Sequence, residues 1–118
     1  MTLKQEQEDR RVLDKMDEDF YCNNVLNNKI KVKKVLETEN VLAYYHTKPS
    51  YREHIVVVPK KHVENLIELK DDKLIIELMD VIKKVSEEVN KKFGKCRVIT
   101  NLGEYQDSKH IHFHVVSE

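Results

Sequence analysis

Hydrophobic and polar residues divide the chain into five segments with strand-like patterns and one with a helix-like pattern. Residues 30–36 approximate strict alternation, and residues 41–45 are largely apolar, so the two are predicted to form a hairpin. Residues 54–59 are a run of β-branched residues ended by proline, which is typical of a central strand buried on both faces. Residues 96–100 and 110–116 are predicted as the fourth and fifth strands.

A long helix is predicted over residues 72–92. Asp71 or Asp72 can cap its first turn, and Gly94 follows its last turn, where glycine commonly ends a helix. One buried stripe is formed by apolar residues spaced three or four apart: Leu74, Leu78, Ile82, Val85 and Val89. With a short helix over residues 63–69, these elements predict an α+β domain whose mostly antiparallel five-stranded sheet is covered by one principal helix.

The length and the N-terminal pattern together predict a single domain with an extension. A chain of 118 residues is long enough for one independent core. Residues 1–19 carry mostly charged side chains and only a few apolar ones, so they are predicted to form a helical extension on the surface. The domain itself is predicted over residues 20–118.

Composition excludes several classes of protein. The chain has 40% hydrophobic and 36% charged residues, and its 21 basic residues balance its 21 acidic ones. A neutral chain offers no concentrated basic surface for nucleic acid, and no apolar run approaches the ~20 residues of a membrane-spanning helix. The N-terminus lacks the apolar segment of a signal peptide, so a cytoplasmic protein with reduced Cys22 and Cys96 is expected.

The last predicted strand carries the candidate chemistry. His110, His112 and His114 alternate with apolar residues, so in a strand all three imidazoles would stand on one face, roughly 6 to 7 Å apart. Such a row suits two chemistries. Neutral imidazoles can bind a metal such as zinc, and a neutral imidazole can attack phosphorus while its neighbours orient it. The spacing leaves both possibilities open.

The wider pattern resembles a known family. Residues 110–116 read His-φ-His-φ-His-φ-φ, where φ is apolar, and this resembles the signature of the histidine triad nucleotide-binding family. The similarity extends to residues 41–44 (Val-Leu-Ala-Tyr), Pro49, residues 54–62 (His-Ile-Val-Val-Val-Pro-Lys-Lys-His) and Gln106. It covers about residues 20–118.

The resemblance implies a histidine triad fold, a homodimer, and an enzyme that acts on purine nucleotides or their conjugates. Such an enzyme cleaves a nucleoside monophosphate from a phosphate, an amine or a dinucleotide polyphosphate through a nucleotidyl-histidine intermediate, with no cofactor required. His112 would be the nucleophile, His110 and His114 would flank it, and His54 would support the site. We expect one ring nitrogen of His112 to donate to a main-chain carbonyl, and His110 and His114 to stabilise charge on the phosphoryl oxygens.

Four further residues are predicted to bind substrate. Gln106 and Ser108 lie in the loop that enters the last strand, and Asn101 begins that loop. His46 stands where many relatives have an aspartate that holds the ribose hydroxyls, and an imidazole cannot accept two donors as a carboxylate can. His62 is predicted to lie at the start of the short helix. No metal is expected, because relatives with a structural zinc carry a CxxC where this chain has only Cys22.

Two other functions remain open at the level of sequence. The chain could be a nucleotide-binding regulatory module with little turnover, in which His46 fails to position the ribose. It could also be a metal-dependent protein that uses the histidine row.

Overall fold

The computed structural model describes residues 31–118, which form one sheet covered by one helix. The elements are β1 (Lys34–Glu37), β2 (Val41–Tyr45), β3 (Glu53–Pro59), α1 (Asp72–Phe93), β4 (Arg97–Ile99) and β5 (Phe113–Ser117). The strands lie in the order β1-β2-β3-β5-β4, and each neighbouring pair is antiparallel. The predicted α+β class and the five-stranded antiparallel sheet are confirmed.

Strand β3 lies at the centre of the sheet, as its β-branched run predicted. All seven of its residues are buried. Ile55 pairs with Tyr45 of β2 on one side and with Val115 of β5 on the other. Because β3 is hydrogen-bonded on both edges and packed on both faces, its position fixes that of the two neighbouring strands.

Helix α1 begins at the predicted residue and ends at Phe93, one residue after the predicted end. A side-chain oxygen of Asp71 accepts hydrogen bonds from the main-chain nitrogens of Lys73 (3.0 Å) and Leu74 (3.2 Å). Gly94 adopts a left-handed conformation (φ +76°), and its amide donates to the carbonyl of Asn90. The buried side of the helix consists of the five predicted apolar residues and Val81.

The sheet has two unlike faces. Helix α1 packs on the face that presents Val41, Ala43, Ile55, Val57 and Val115. Residues of the opposite face form a second apolar cluster, namely Leu42, Tyr44, Val56 and Val58. Since side chains alternate along a strand, His54 and His114 stand on this second face, away from the helix.

The predicted short helix over residues 63–69 is wrong. These residues form turns, with main-chain hydrogen bonds only three residues apart, from Glu68 to Asn65 and from Leu69 to Leu66. The side-chain oxygen of Asn65 accepts from the amides of Ile67 (3.0 Å) and Glu68 (3.2 Å). The side chain of Asp71 makes the same contacts at the start of α1, but the main chain after Asn65 continues only as a turn.

The edge strands and the last strand are shorter than predicted. Strand β1 begins at Lys34, and β4 covers only Arg97–Ile99. Strand β5 begins at Phe113, so His110, at the end of a bend, and His112 both lie before the strand. An unpredicted 3₁₀ turn, Gly103–Tyr105, interrupts the loop before this segment.

Several sequence expectations lie outside the described residues. These are the helical extension over 1–19, the domain boundary at residue 20, the first residue of the predicted 30–36 strand, and Cys22. Within residues 31–118, the structure has no helix that is both long and apolar enough to cross a membrane.

Glu77 joins helix α1 to the turn between β1 and β2. One carboxylate oxygen accepts from the hydroxyl of Thr38 (2.6 Å) and the amide of Asn40 (2.8 Å), and the other accepts from the Asn40 side chain (2.9 Å). The hydrogen bonds from the side chains of Asn40 and Thr38 lower the pKa of Glu77 below its ordinary value of 4.5.

We therefore expect Glu77→Gln to lower the free energy of unfolding by about 1 kcal/mol at neutral pH, because an amide has only one acceptor oxygen. A carboxylate with a lowered pKa stabilises the fold above pH 4.5 and loses that effect as the pH falls through its folded value. Urea titrations at pH 7 and pH 3 measure both effects. Glu87→Gln, on the exposed side of the same helix, is the matched control, and equal losses in the two variants would contradict the prediction.

Candidate active site

His54 and His114 meet across the pairing of β3 with β5. His54 lies opposite Val116, and His114 lies opposite Val56, so the two imidazoles are diagonal neighbours on one face. Nε2 of His54 is 2.8 Å from Nδ1 of His114. The adjacency of the two rings thus follows from the strand register.

The hydrogen bonds around this pair fix which ring nitrogens carry protons. The main-chain amide of Ser50, which can only donate, lies 3.1 Å from Nδ1 of His54. Nδ1 of a neutral His54 is therefore an acceptor, and Nε2 donates to Nδ1 of His114. A neutral His114 consequently carries its own proton on Nε2. The hydrogen bonds therefore run in one direction: the amide of Ser50 donates to His54, and His54 donates to His114.

His112 has the opposite tautomer. Its Nδ1 lies 2.9 Å from the carbonyl oxygen of His110, which can only accept, so Nδ1 carries the proton and Nε2 carries the lone pair. This is the main-chain hydrogen bond expected from the sequence. The hydroxyl of Thr100 donates to the carbonyl of His112 (2.9 Å), which also fixes the main chain at this residue.

The environment of His112 favours its neutral form. The residue is 4% exposed, and burial lowers the pKa of the His112 imidazole, against smaller opposing effects of the His110 carbonyl and the Asp107 carboxylate. Its ring meets that of His114 edge-on, with centroids 4.8 Å apart. A lone pair and an N–H group are thus held on neighbouring rings.

His110 does not share this arrangement. Its side chain is fully buried, and Nε2 lies 2.7 Å from the carbonyl oxygen of Pro59, to which it donates. The ring of His62, which is exposed and precedes a turn rather than a helix, packs edge-on against it at 5.4 Å. The main-chain carbonyl of His110 is therefore the group that is hydrogen-bonded to the His112 ring, while the ring of His110 is bound to Pro59.

The loop residues predicted to bind substrate occupy different environments. The Gln106 side chain is buried and donates to the carbonyl of Glu64. The hydroxyl of Ser108 is buried and has no hydrogen-bond partner among the described residues. Asn101 is half-buried directly after Thr100. Asp107 was not predicted from the sequence, and its charge acts on His112.

His46 lies beside the histidine pair and extends the row of rings. Nδ1 of His46 accepts from the amide of Lys48 (2.9 Å). Ring centroids are 4.4 Å apart for His46 and His54, and 6.2 Å apart for His46 and His114. Tyr51, also unpredicted, meets His54 edge-on at 5.4 Å. A single tyrosine in a polar loop carries no pattern that would have identified this contact.

The contact between His54 and His114 does not favour metal ligation by this pair of rings. Among residues 31–118, no three His, Cys, Asp or Glu side chains are arranged to hold a metal ion. Nε2 of His54 and Nδ1 of His114 bind each other, so these two nitrogens do not point toward a common ion. Ligation requires lone pairs that converge on one point.

Comparisons with known proteins agree with this fold and this row of histidines. The HIT domain family matches residues 27–118. An uncharacterized HIT-like protein of Methanocaldococcus jannaschii is 38% identical over 101 residues, which are 82% of this chain and 76% of that protein. The adenosine 5'-monophosphoramidase of Schizosaccharomyces pombe is 28% identical over 99 residues, or 82% of this chain and 71% of that enzyme.

A solved structure gives the same result. A histidine triad protein from Clostridium difficile has a TM-score of 0.71 to this structure at 35% identity, covering 84% of this chain and 89% of that chain. The chain belongs to the histidine triad (HIT) family.

Burial of His112 leads to a prediction about its ionisation. We expect the His112 ring to protonate at a lower pH in the folded chain than in the chain unfolded in urea, where the ordinary value is 6.5. Since the unfolded chain then binds the proton more readily, this residue lowers stability as the pH falls below about 6.5. Ring resonances followed by NMR against pH measure both midpoints. A folded midpoint at or above the unfolded one would contradict the prediction.

Proposed function

We propose that this protein is a nucleotide hydrolase or nucleotidyltransferase that works through a nucleotidyl group on His112. The observation that carries the proposal is the fixed tautomer of His112, a buried neutral imidazole whose Nδ1 is bound to the His110 carbonyl. Because Nδ1 carries the proton that is donated to the carbonyl, the lone pair is on Nε2, where it can act as the nucleophile. Positioning and tautomer selection are what an imidazole needs for covalent catalysis at neutral pH.

In the first step of the proposed reaction, Nε2 of His112 attacks the phosphorus of a nucleoside monophosphoryl group. A phosphorus–nitrogen bond forms, and the bond to the leaving group breaks. The leaving group departs with the bonding electron pair and takes up a proton. In the second step, water attacks the same phosphorus, releases a proton and returns the electron pair to Nε2, which yields a nucleoside monophosphate.

His114 has a distinct part in this scheme. Its Nδ1 is occupied by His54, so its N–H is on Nε2. Because the rings of His112 and His114 lie 4.8 Å apart, we expect this N–H to donate to an oxygen of a phosphoryl group on His112. A preorganised neutral donor stabilises charge that grows on that oxygen during the reaction.

The substrate class rests on the family and on one named relative. A 28% identical relative is an adenosine 5'-monophosphoramidase, which supports a purine nucleotide conjugate as the substrate here. A phosphoramidate or a dinucleotide polyphosphate would supply the leaving group. We propose that no cofactor is required, with Gln106, Ser108 and Asn101 bordering the substrate. A homodimer and a cytoplasmic location remain predictions from sequence.

The decisive experiment detects the covalent intermediate. The protein is mixed with adenosine 5'-phosphoramidate or a diadenosine polyphosphate, quenched in alkali within the first turnovers, digested and analysed by mass spectrometry. We expect an added adenylyl group on the peptide that contains residues 110–114. His112→Ala should remove both the adduct and the turnover, because no other imidazole nitrogen takes its place.

His62→Ala is the matched control, since His62 is an exposed histidine, and this variant should still form the adduct. Turnover without an adduct in the native protein, or an adduct that survives His112→Ala, would contradict the mechanism. Tight nucleotide binding with no product after long incubation would favour the regulatory module instead.

A second experiment tests the metal-dependent alternative. We expect prolonged dialysis against a strong chelator to leave the turnover rate within about twofold of the untreated protein, since the facing nitrogens of His54 and His114 bind each other rather than converge on an ion. Metal content measured on the same samples shows that the removal was complete. A loss of turnover that added zinc restores would overturn the proposal in favour of a metal-dependent protein.

A further inference from the structure

The turn between β2 and β3 is closed by His46 in two ways. Its main-chain amide donates to the carbonyl of His54 (2.8 Å), which continues the strand pairing by one residue. Its ring nitrogen Nδ1 accepts from the amide of Lys48 (2.9 Å), two residues along the chain. A side-chain acceptor that binds the amide two residues on stabilises a tight turn, as aspartate and asparagine commonly do.

This turn delivers the amide that fixes the tautomer of His54. Ser50 follows the turn, and its amide reaches Nδ1 of His54 at 3.1 Å. If the turn opened, this hydrogen bond would be lost and His54 could carry its proton on either nitrogen. With the proton on Nδ1, Nε2 of His54 would become an acceptor, and His114 would have to place its proton on Nδ1 to bind it.

The ring of His46 also packs beside that of His54. Their centroids are 4.4 Å apart with the planes tilted by 30°. His46 is thus in contact with His54 itself and with the turn that binds His54. His46 lies farther from His114, at 6.2 Å between centroids, and the hydrogen bond that sets the His114 tautomer comes from His54.

We infer that His46 is a positioning residue that closes the turn, thereby fixing the tautomer of His54 and keeping the N–H of His114 on Nε2. The inference rests on the proposed function, because the N–H of His114 is the group that would contact the phosphoryl oxygen. It replaces the expectation that His46 binds the ribose. One of its two ring nitrogens is already bound to Lys48, whereas a carboxylate at this position could accept from both ribose hydroxyls.

Three variants of His46 distinguish the effect of its hydrogen-bond acceptor from the effect of its ring. His46→Asn keeps an acceptor that can bind the amide of Lys48 but loses the ring. His46→Phe keeps a ring against His54 but has no acceptor, and His46→Ala has neither. The proposal expects the asparagine variant to behave like the native protein and the phenylalanine variant to behave like the alanine variant. The asparagine and phenylalanine pair suffices if the alanine variant does not fold.

The first readout is kinetic. We expect His46→Phe and His46→Ala to lower kcat by about tenfold with KM changed less than about twofold, since loss of a residue that orients a catalytic group costs 10- to 100-fold. The loss should be the same for adenosine 5'-phosphoramidate and for its 2',3'-dideoxy analogue. A rise in KM confined to the substrate with ribose hydroxyls would overturn the proposal and assign His46 to the ribose.

The second readout needs no turnover. Nitrogen-15 NMR of the imidazoles distinguishes Nδ1–H from Nε2–H, and we expect His54 and His114 to be Nε2–H in the native protein and in His46→Asn. In His46→Phe both rings should become tautomer mixtures. Unchanged spectra in a folded phenylalanine variant would overturn the inference. If the native protein forms no nucleotidyl adduct while these spectra change as expected, the proposed function fails and the tautomer control by His46 stands.

Discussion

Val56 of β3 lies opposite His114 of β5, and His54 lies opposite Val116. This register determines which imidazoles can meet, because a slip of one residue would turn every side chain of β5 to the other face. His114 would then point toward helix α1, and Val115 would leave the core. The apolar core thus specifies the site: the residues that must be buried against the helix hold the register that joins the two histidines.

Main-chain groups impose the chemistry on that geometry. An imidazole alone exchanges its proton between two nitrogens, and its hydrogen-bond partners select one tautomer. Here the amide of Ser50 selects one tautomer for His54 and His114, and the carbonyl of His110 selects the opposite one for His112. Adjacent rings therefore present a donor and a lone pair. The alternating histidines supply two of these rings, and main-chain groups determine which nitrogen of each ring carries the proton.

The sequence predicted the parts of this arrangement that depend on local pattern. Alternation and β-branching identified β3 and the apolar side of β5, and spacing with Asp71 and Gly94 identified the limits of α1. It did not predict that the ring of His110 binds the carbonyl of Pro59, because that contact joins residues 51 positions apart. Nor did it predict the turns over residues 63–69, where a short helix was expected and the main-chain hydrogen bonds join residues three apart.

The neutral overall charge of the chain raises the question of how the candidate site would bind a phosphoryl group. A phosphoryl group usually meets fixed cations, but beside His112 it would meet an imidazole whose pKa is lowered by burial. A protonated His112 would bind a phosphate more strongly and would have no lone pair with which to attack it. In the proposed mechanism, burial of His112 therefore weakens its electrostatic attraction for the bound phosphoryl group and preserves the lone pair that attacks phosphorus. The Asp107 carboxylate opposes this by favouring the protonated ring, and desolvation of His112 is the larger effect.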